Sequence, residues 1–126
     1  MPLLEEDEEF LKGKGLKGEL LVDGQAGHCL VFQGFPVDAS RYDRSSVTLM
    51  VCIPNGYNDA KLDNFYVDPH LRLKSGEYPD RAAHMEEHAG KTWQRFSRHF
   101  HDRWRAGVDT LRSIWPHITK ELQGKG

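Results

Sequence analysis

The segment SVTLMVCI at residues 46–53 carries the strongest strand pattern in the chain. Successive side chains of a strand point to opposite faces, so an alternating pattern separates two sides. One face of this segment is wholly apolar and consists of Val47, Leu49, Val51 and Ile53. Met50 and Cys52 make the other face at least half buried. The turn residues PNGY at 54–57 then end the strand.

Shorter strand patterns lie on both sides of this segment. GELLV at 18–22 and HCLVF at 28–32 flank a glycine-bearing loop at 23–27, which indicates a hairpin. NFYV at 64–67 supplies a fourth short strand, which Asp68-Pro69 ends. The sequence therefore predicts four antiparallel strands.

Helical patterns begin and end the chain. Residues from Leu4 to Leu11 can form a short helix, which the breaker Gly13-Lys14-Gly15 ends. From about Gly107 onward, apolar residues recur at helical spacing, namely Val108, Leu111, Ile114 or Trp115, Ile118 and Leu122. Pro116 is expected to kink this helix or to split it. The order of elements indicates an α+β fold.

Length and charge narrow the class of protein. A chain of 126 residues predicts a single domain over residues 1–126, here with a polar insert at about 70–90. The net charge of −2 gives no electrostatic reason to expect a nucleic-acid partner. No apolar run approaches the length of a membrane span, and the first residues are acidic where a signal peptide is basic. We therefore expect a cytoplasmic protein with no nucleic-acid or membrane partner.

The two cysteines, Cys29 and Cys52, both lie within apolar runs. Free cysteine behaves as a small hydrophobic residue in such surroundings. Two cysteines alone also form neither a zinc motif nor a disulfide framework. We interpret both as reduced core residues, and we expect no metal and no cofactor.

The segment WQRFSRHFHDRW at residues 93–104 concentrates the usable chemistry of the chain. If it is extended, Ser97, His99 and His101 share one face; if it is helical, Ser97 and His101 meet one turn apart. Either arrangement can place an imidazole beside the hydroxyl, as a serine nucleophile requires near neutral pH.

A second histidine motif, HMEEH at residues 84–88, fits the His-x-x-Glu-His pattern of some zinc peptidases. On a helix, His84 and His88 would share one face, and Glu87 would be the base. A catalytic zinc also needs a third protein ligand, and Met85 is the only large apolar residue here. We therefore favour a solvated, polar helical insert over a metallopeptidase site.

Several strings together resemble a known family. They are EDEEFL at 6–11, LVFQGF at 30–35, IPNGYNDA at 53–60, DNFY at 63–66, TWQRFSRH at 92–99 and residues 104–111. Their order is similar to the ubiquitin-conjugating-enzyme (UBC-like) fold, and more closely to the prokaryotic conjugating-enzyme-like family called family E. The resemblance implies a four-stranded antiparallel meander with a short N-terminal helix and a C-terminal helix. It also implies two partners, a bacterial ubiquitin-like modifier protein and an activating-enzyme-like protein.

The chain departs from the eukaryotic members of this fold at the nucleophile. Counting back from Trp104, the position of the eukaryotic cysteine falls on Phe96, with Ser97 adjacent, and no cysteine is present there. The His-Pro-Asn motif is also missing, since the nearest string is Asp68-Pro69-His70. Oxyanion stabilisation by that asparagine therefore cannot be carried over.

Two interpretations of the site stay open. In the first, Ser97 accepts the modifier as an oxyester, and His99 or His101 is the general base. Asp102 or a backbone carbonyl would orient the imidazole ring, and Arg95 and Arg98 are the candidate oxyanion donors. In the second, the site is catalytically silent, and the domain is a scaffold that binds the modifier or the activating enzyme.

Overall fold

The computed structural model describes residues 3–24, 27–62, 64–98 and 104–124. Within them, one antiparallel sheet of six strands carries two helices on one face, an α+β arrangement. In chain order the elements are α1 (Glu5–Gly13), β1 (Glu19–Val22), β2 (His28–Pro36), β3 (Ser46–Ile53), β4 (Phe65–Asp68), β5 (His84–His88), β6 (Lys91–Phe96) and α2 (Leu111–Gln123).

The first four strands lie where the sequence predicts them and pair antiparallel in chain order. The predicted number of strands is nevertheless wrong, because the sheet has six strands in the order β1-β2-β3-β4-β6-β5. β6 pairs with β4, and β5 lies outside β6 at the edge. The four-stranded meander is therefore extended by a second hairpin.

The β5–β6 hairpin overturns the prediction of a helical insert at HMEEH. This segment is β5, and its last residue, His88, lies opposite Lys91 of β6. Ala89 and Gly90 connect the two strands with φ of 52° and 76°. A two-residue turn with positive φ at both positions matches the twist of paired strands, so the turn selects the hairpin.

The main core lies between the sheet and the two helices. The apolar face of β3 predicted from the sequence is buried in it, together with the inward residues of α2, namely Leu111, Ile114, Trp115, Ile118 and Leu122. Trp115 packs edge-on against Phe32 of β2 and Phe10 of α1, with ring centroids 5.4 and 6.1 Å away. These contacts fix both helices on the same face of the sheet.

A smaller cluster occupies the opposite face, called the second face below. Its buried members are Cys29, Val31, Met50, Tyr66 and Trp93. Cys29 and Cys52 are both free thiols, as predicted, and Cys52 is only partly buried. The second face is therefore half covered, as the β3 pattern indicated.

The C-terminal helix begins at Leu111, later than predicted. The Val108 amide donates to the Arg105 carbonyl, and Gly107 has a φ of 76°, so this segment forms a turn. Val108, predicted to face the core, is 59% exposed. The helix then continues through Pro116 as a single element, so of the two expected effects of this proline, a kink or a split, the split does not occur.

A buried carboxylate joins the two helices and the turn that follows β3. Asp7 of α1 is fully buried and accepts a hydrogen bond from the Tyr57 hydroxyl at 2.8 Å. The Leu111 amide, at the start of α2, donates to the Tyr57 oxygen at 2.7 Å and to Asp7 at 3.3 Å. Burial and the Asp7 carboxylate raise the pKa of Tyr57, so the phenol keeps its proton. The network satisfies the buried charge and orients α2.

We predict that Tyr57→Phe lowers the free energy of unfolding by about 1–3 kcal/mol, the usual cost of leaving buried polar groups unpaired. The variant keeps the aromatic ring but removes the donor to Asp7 and an acceptor for Leu111. Urea denaturation of the variant and the wild type measures the difference. Tyr78→Phe is the matched control, because the partner of the Tyr78 hydroxyl within the described part of the chain is the exposed Arg72. Equal stability of both variants would contradict this role for the network.

Candidate functional site

Ser97 directly follows the last residue of β6, and its backbone is held from two sides. Its amide donates to the Arg81 carbonyl at 3.0 Å. The next amide, that of Arg98, donates to the Asn64 side-chain oxygen at 3.0 Å. Phe96 before it is fully buried and stacks on Phe65 with ring centroids 4.8 Å apart. The serine therefore lies on a rigid strand end and is itself partly exposed.

The segment that supplies the Arg81 carbonyl is fixed by a buried amide side chain. Gln94 of β6 accepts from the Leu71 amide at 2.6 Å and donates to the Leu71 and Ala82 carbonyls at 3.0 and 2.7 Å. Arg81 itself has a φ of 53°. Residues other than glycine rarely adopt this backbone conformation. It persists where the surrounding contacts enforce it. The loop before β5 is thus held beside Ser97.

Arg98 ties the site to α2. Its guanidinium donates to Glu121 at 2.7 Å and to the Ser97 carbonyl at 2.9 Å. Glu121 lies 3.7 Å from Arg41, and its carbonyl accepts the Tyr42 hydroxyl at 2.7 Å. Arg98 is therefore close to the serine backbone but engaged in an ion pair.

Arg95, the other predicted supporting cation, lies on the second face of the sheet. Its guanidinium is ion-paired with Glu86 of β5. The Arg95 Nε is buried and has no hydrogen-bond partner among the described residues. The structure therefore places Arg95 and Arg98 in two different surroundings, and only Arg98 touches Ser97.

His99, His101 and Asp102 lie outside the described residues. The chain is described again from Trp104, whose indole donates to the Asn58 carbonyl at 2.9 Å. Asn58 in turn donates from its side chain to the Asp109 carbonyl at 2.8 Å. The turn after β3 thus anchors the segment that leads from the candidate site to α2.

Asp109 holds the segment between Trp104 and α2 through hydrogen bonds to its carboxylate. Its carboxylate accepts hydrogen bonds from the Arg105 amide at 2.8 Å, the Arg105 guanidinium at 2.9 Å and the Ser113 hydroxyl at 3.1 Å. The hydrogen bonds from Arg105 hold the pKa of Asp109 well below its usual range. The folded state therefore favours the ionised carboxylate.

The model of the family described as prokaryotic E2 family E matches residues 3–125, which is nearly the whole chain. The chain belongs to prokaryotic E2 family E. This confirms the resemblance seen in the sequence, and the α+β architecture fits an E2-like fold. No curated protein and no solved structure matches the chain.

Membership of family E places the protein, in general terms, in ubiquitin-like conjugation, where an E2-like protein interacts with a modifier and an activating enzyme. Neither helix in the described part of the chain is long and apolar enough to cross a membrane.

Neither cysteine of this family E protein lies on β6, the strand whose end carries Ser97. Cys29 and Cys52 are on β2 and β3, and both contribute to the second face. Burial raises the pKa of Cys29 to about 11 and that of Cys52 to about 12. Both thiols are therefore protonated at neutral pH, whereas a thiol nucleophile must be a thiolate.

The strand at HMEEH also removes the metallopeptidase interpretation. His84 and His88 are four residues apart on an extended strand, so their Cα atoms are separated by roughly 13 Å. The zinc-peptidase pattern needs one helical turn between the two imidazoles. This pair therefore cannot bind one zinc ion in that geometry.

Sequence reasoning missed two residues that position the site, Asn64 and Glu121. They hold Arg98 across 34 and 23 residues of chain, respectively. Neither carries a local signal, because an asparagine before a strand and a glutamate on a helix are ordinary surface residues. Only the pairing of β4 with β6 and the packing of α2 bring them to Ser97.

We predict that Asp109→Asn destabilises the protein in a pH-dependent manner. The pKa of Asp109 is lower in the folded state than in the unfolded state, so ionisation stabilises the fold above the unfolded value, about 3.9. The stability difference from the wild type should stay constant above pH ~5 and shrink as the pH falls below ~4. Urea denaturation between pH 3 and 7 measures it, with the exposed Asp80→Asn as control. A difference independent of pH would contradict the assignment.

Proposed function

We propose that this family E protein carries the C-terminus of a ubiquitin-like modifier as an oxyester on Ser97. The observation that supports this most directly is the rigid backbone of Ser97 at the exposed end of β6. It is fixed by Arg81 before it in the chain and, through Arg98, by Asn64 and Glu121. Reacting groups gain most when the scaffold sets their position in advance.

Loading of the serine is a transacylation. The Ser97 hydroxyl oxygen attacks the carbonyl carbon of the modifier's C-terminal thioester on the activating enzyme. The C–O bond forms, the C–S bond breaks, the hydroxyl proton passes to an imidazole, and a thiolate leaves. In the second step the nitrogen of a neutral acceptor amine attacks the ester carbonyl carbon, so that the C–N bond forms and the C–O bond breaks. The imidazolium gives its proton to the departing Ser97 oxygen, and the imidazole then takes up the proton that the amine nitrogen loses. An alkoxide leaves less readily than a thiolate, so the proton transfer to the Ser97 oxygen is essential.

Each proposed role falls on a residue close to Ser97 in the chain. His99 or His101 is the general base and then the general acid, and Asp102 or a backbone carbonyl orients its ring. Of the two arginines, we favour Arg98 as the oxyanion donor, because it already contacts the Ser97 carbonyl. Arg95 would first have to leave Glu86 on the second face.

We predict that incubation with a cognate activating enzyme, its modifier and ATP yields a covalent adduct on Ser97. Because it is an ester, the adduct should survive thiol reductant and be released by alkali or hydroxylamine. Intact mass spectrometry detects it, and Ser97→Ala should abolish it. Ser45→Ala, an exposed serine of the β2–β3 loop, is the matched control.

Ser97→Cys extends this test, because a thiolate is the better nucleophile and leaving group. Its adduct should become sensitive to reductant. An adduct on another residue in Ser97→Ala, or no adduct with an activating enzyme that charges its own cysteine, would overturn the proposal.

We predict that only one of His99→Ala and His101→Ala lowers transfer to an amine, by ~10²–10⁴-fold, the usual weight of general acid–base catalysis. Single-turnover transfer from the preloaded ester measures the rate, and circular dichroism checks the fold. His117→Ala, on the exposed side of α2, is the control. Equal and small losses in both variants would mean that the serine is not activated by either imidazole.

A silent scaffold of the same pathway is the second candidate function. Two observations favour it: the nucleophile position has no cysteine, and no described residue hydrogen-bonds to the Ser97 hydroxyl. In that case Ser97→Cys never charges, while the unmodified protein binds the modifier or the activating enzyme tightly. Calorimetric titration beside the mass measurement therefore separates the two functions.

A further inference from the structure

Four potential metal ligands meet on the second face, far apart in sequence but adjacent in space. They are Asp23 after β1, Cys29 of β2, Cys52 of β3 and His88 at the end of β5. One ligand atom from each lies within 4.8 Å of the other three. We propose that these residues form a structural zinc site, called the Asp-Cys-Cys-His site below.

The distances suit a tetrahedral ion. Zinc bonds of about 2.3 Å to sulfur and about 2.0–2.1 Å to nitrogen put neighbouring ligand atoms roughly 3.3–3.8 Å apart. The Cys52 sulfur lies 4.0 Å from His88 Nδ1, which in turn lies 2.6 Å from an Asp23 oxygen. Shifts of less than about an ångström therefore convert the observed cluster into a zinc geometry.

The imidazole is oriented as a ligand by its second nitrogen. His88 Nε2 lies 3.0 Å from Glu86, so the proton on Nε2 can be donated to that carboxylate, and Nδ1 lies on the side of Asp23 and Cys52. Glu86 is itself held by the Tyr66 hydroxyl at 3.0 Å and by Arg95. Zinc-binding histidines commonly donate their other N–H to a carboxylate fixed in this way.

The carboxylate is oriented in the same manner. One Asp23 oxygen accepts the Ala89 amide at 2.8 Å, which leaves the other to face His88. Ala89 lies in the β5–β6 turn, so this turn supplies the donor that holds Asp23. The β1–β2 loop, which carries Asp23, packs closely against the end of β3. Gly27 in this loop permits the approach, because a side chain there would collide with the Ile53 carbonyl.

The ligand types select the metal. Two thiolates and an imidazole favour zinc over magnesium or calcium, which prefer oxygen ligands. Cys29 is fully buried, and the Asp23 and His88 side chains are each only 16% exposed. Four protein ligands leave no open position, as in structural rather than catalytic zinc sites. Binding forms two Zn–S bonds, one Zn–N bond and one Zn–O bond, and it releases to solvent both thiol protons and the proton shared by His88 Nδ1 and Asp23.

Such a site would connect the two edges of the sheet. β1 and β5 are the edge strands, yet the β5–β6 turn reaches over the second face to the β1–β2 loop. A zinc ion there would link β1, β2, β3 and β5 through single side chains. The site is independent of Ser97, which lies outside the cluster, so Ser97→Ala should bind zinc normally.

The experiment uses the full, untagged chain, purified under reducing conditions and stripped with a chelator. Titration with Co²⁺ should give thiolate-to-metal charge-transfer bands and tetrahedral d–d bands that saturate at one ion per chain. Zinc should then displace the Co²⁺ signal, whereas excess Mg²⁺ should not. At 100-fold excess over its dissociation constant, zinc should raise the melting temperature by roughly 10 °C.

Variants locate the site. Cys52→Ser and His88→Ala should each lower zinc affinity by at least 100-fold and remove the tetrahedral Co²⁺ spectrum. His84→Ala, on the same strand but outside the cluster, is the matched control and should bind as the wild type does. If a cysteine variant fails to fold, Asp23→Asn on the rim of the site replaces it in the comparison. We expect this variant to lose less zinc affinity than the cysteine variant.

Three results would overturn the proposal. The first is the absence of thiolate-to-Co²⁺ bands in folded wild-type protein. The second is equal zinc binding by the wild type, Cys52→Ser and His88→Ala, which would indicate an adventitious ion only. The third is a Cys29–Cys52 disulfide in protein that was purified under reducing conditions. Counting the free thiols before the metal is added detects it.

Discussion

The buried Asp7 carboxylate is the constraint on which the arrangement of the fold depends. A buried charge without partners costs several kilocalories per mole, so its hydrogen-bond donors must be in place whenever the core is closed. Those donors come from Tyr57 after β3, from the first residue of α2 and from the Leu4 amide before α1. The network therefore sets the start of α2 and, through Asn58, the course of the chain from Trp104 onward. Glu121 on the same helix then reaches Arg98 beside Ser97.

The strands were predictable wherever one face was clearly apolar, as in β3. β5 was not, because every residue in it except Met85 is polar, and a polar strand looks like a solvated helix in sequence. The only local signal was the Ala89-Gly90 turn, which is weaker than an Asn-Gly or Asp-Gly turn. The start of α2 was misplaced because Val108 continues the apolar spacing, although Gly107 and Asp109 close a turn there.

Of the candidate site, the sequence predicted Ser97 but not the residues that hold its backbone in place. Ser97 could be singled out from its neighbours in the chain, since its proposed chemistry is local. The residues that hold it, Asn64 and Glu121, are distant in sequence and became visible only through strand pairing and helix packing. The ligands of the Asp-Cys-Cys-His site on the second face are also distant in sequence and became visible only in the folded structure. Asp23 and His88 are 65 residues apart, and no spacing rule for metal ligands covers residues on four separate elements.

The position of β6 between β4 and β5 also constrains the order in which the protein folds. The β1–β2, β2–β3, β3–β4 and β5–β6 pairings are between neighbours in the chain, whereas β4 and β6 can pair only after the intervening segment has closed. Closing longer segments costs more chain entropy, and such pairings form later in folding. We expect pulse-labelled amide exchange to show β6 joining β4 after the early hairpins are protected. Nascent chains would then acquire the backbone geometry around Ser97 only near the end of folding.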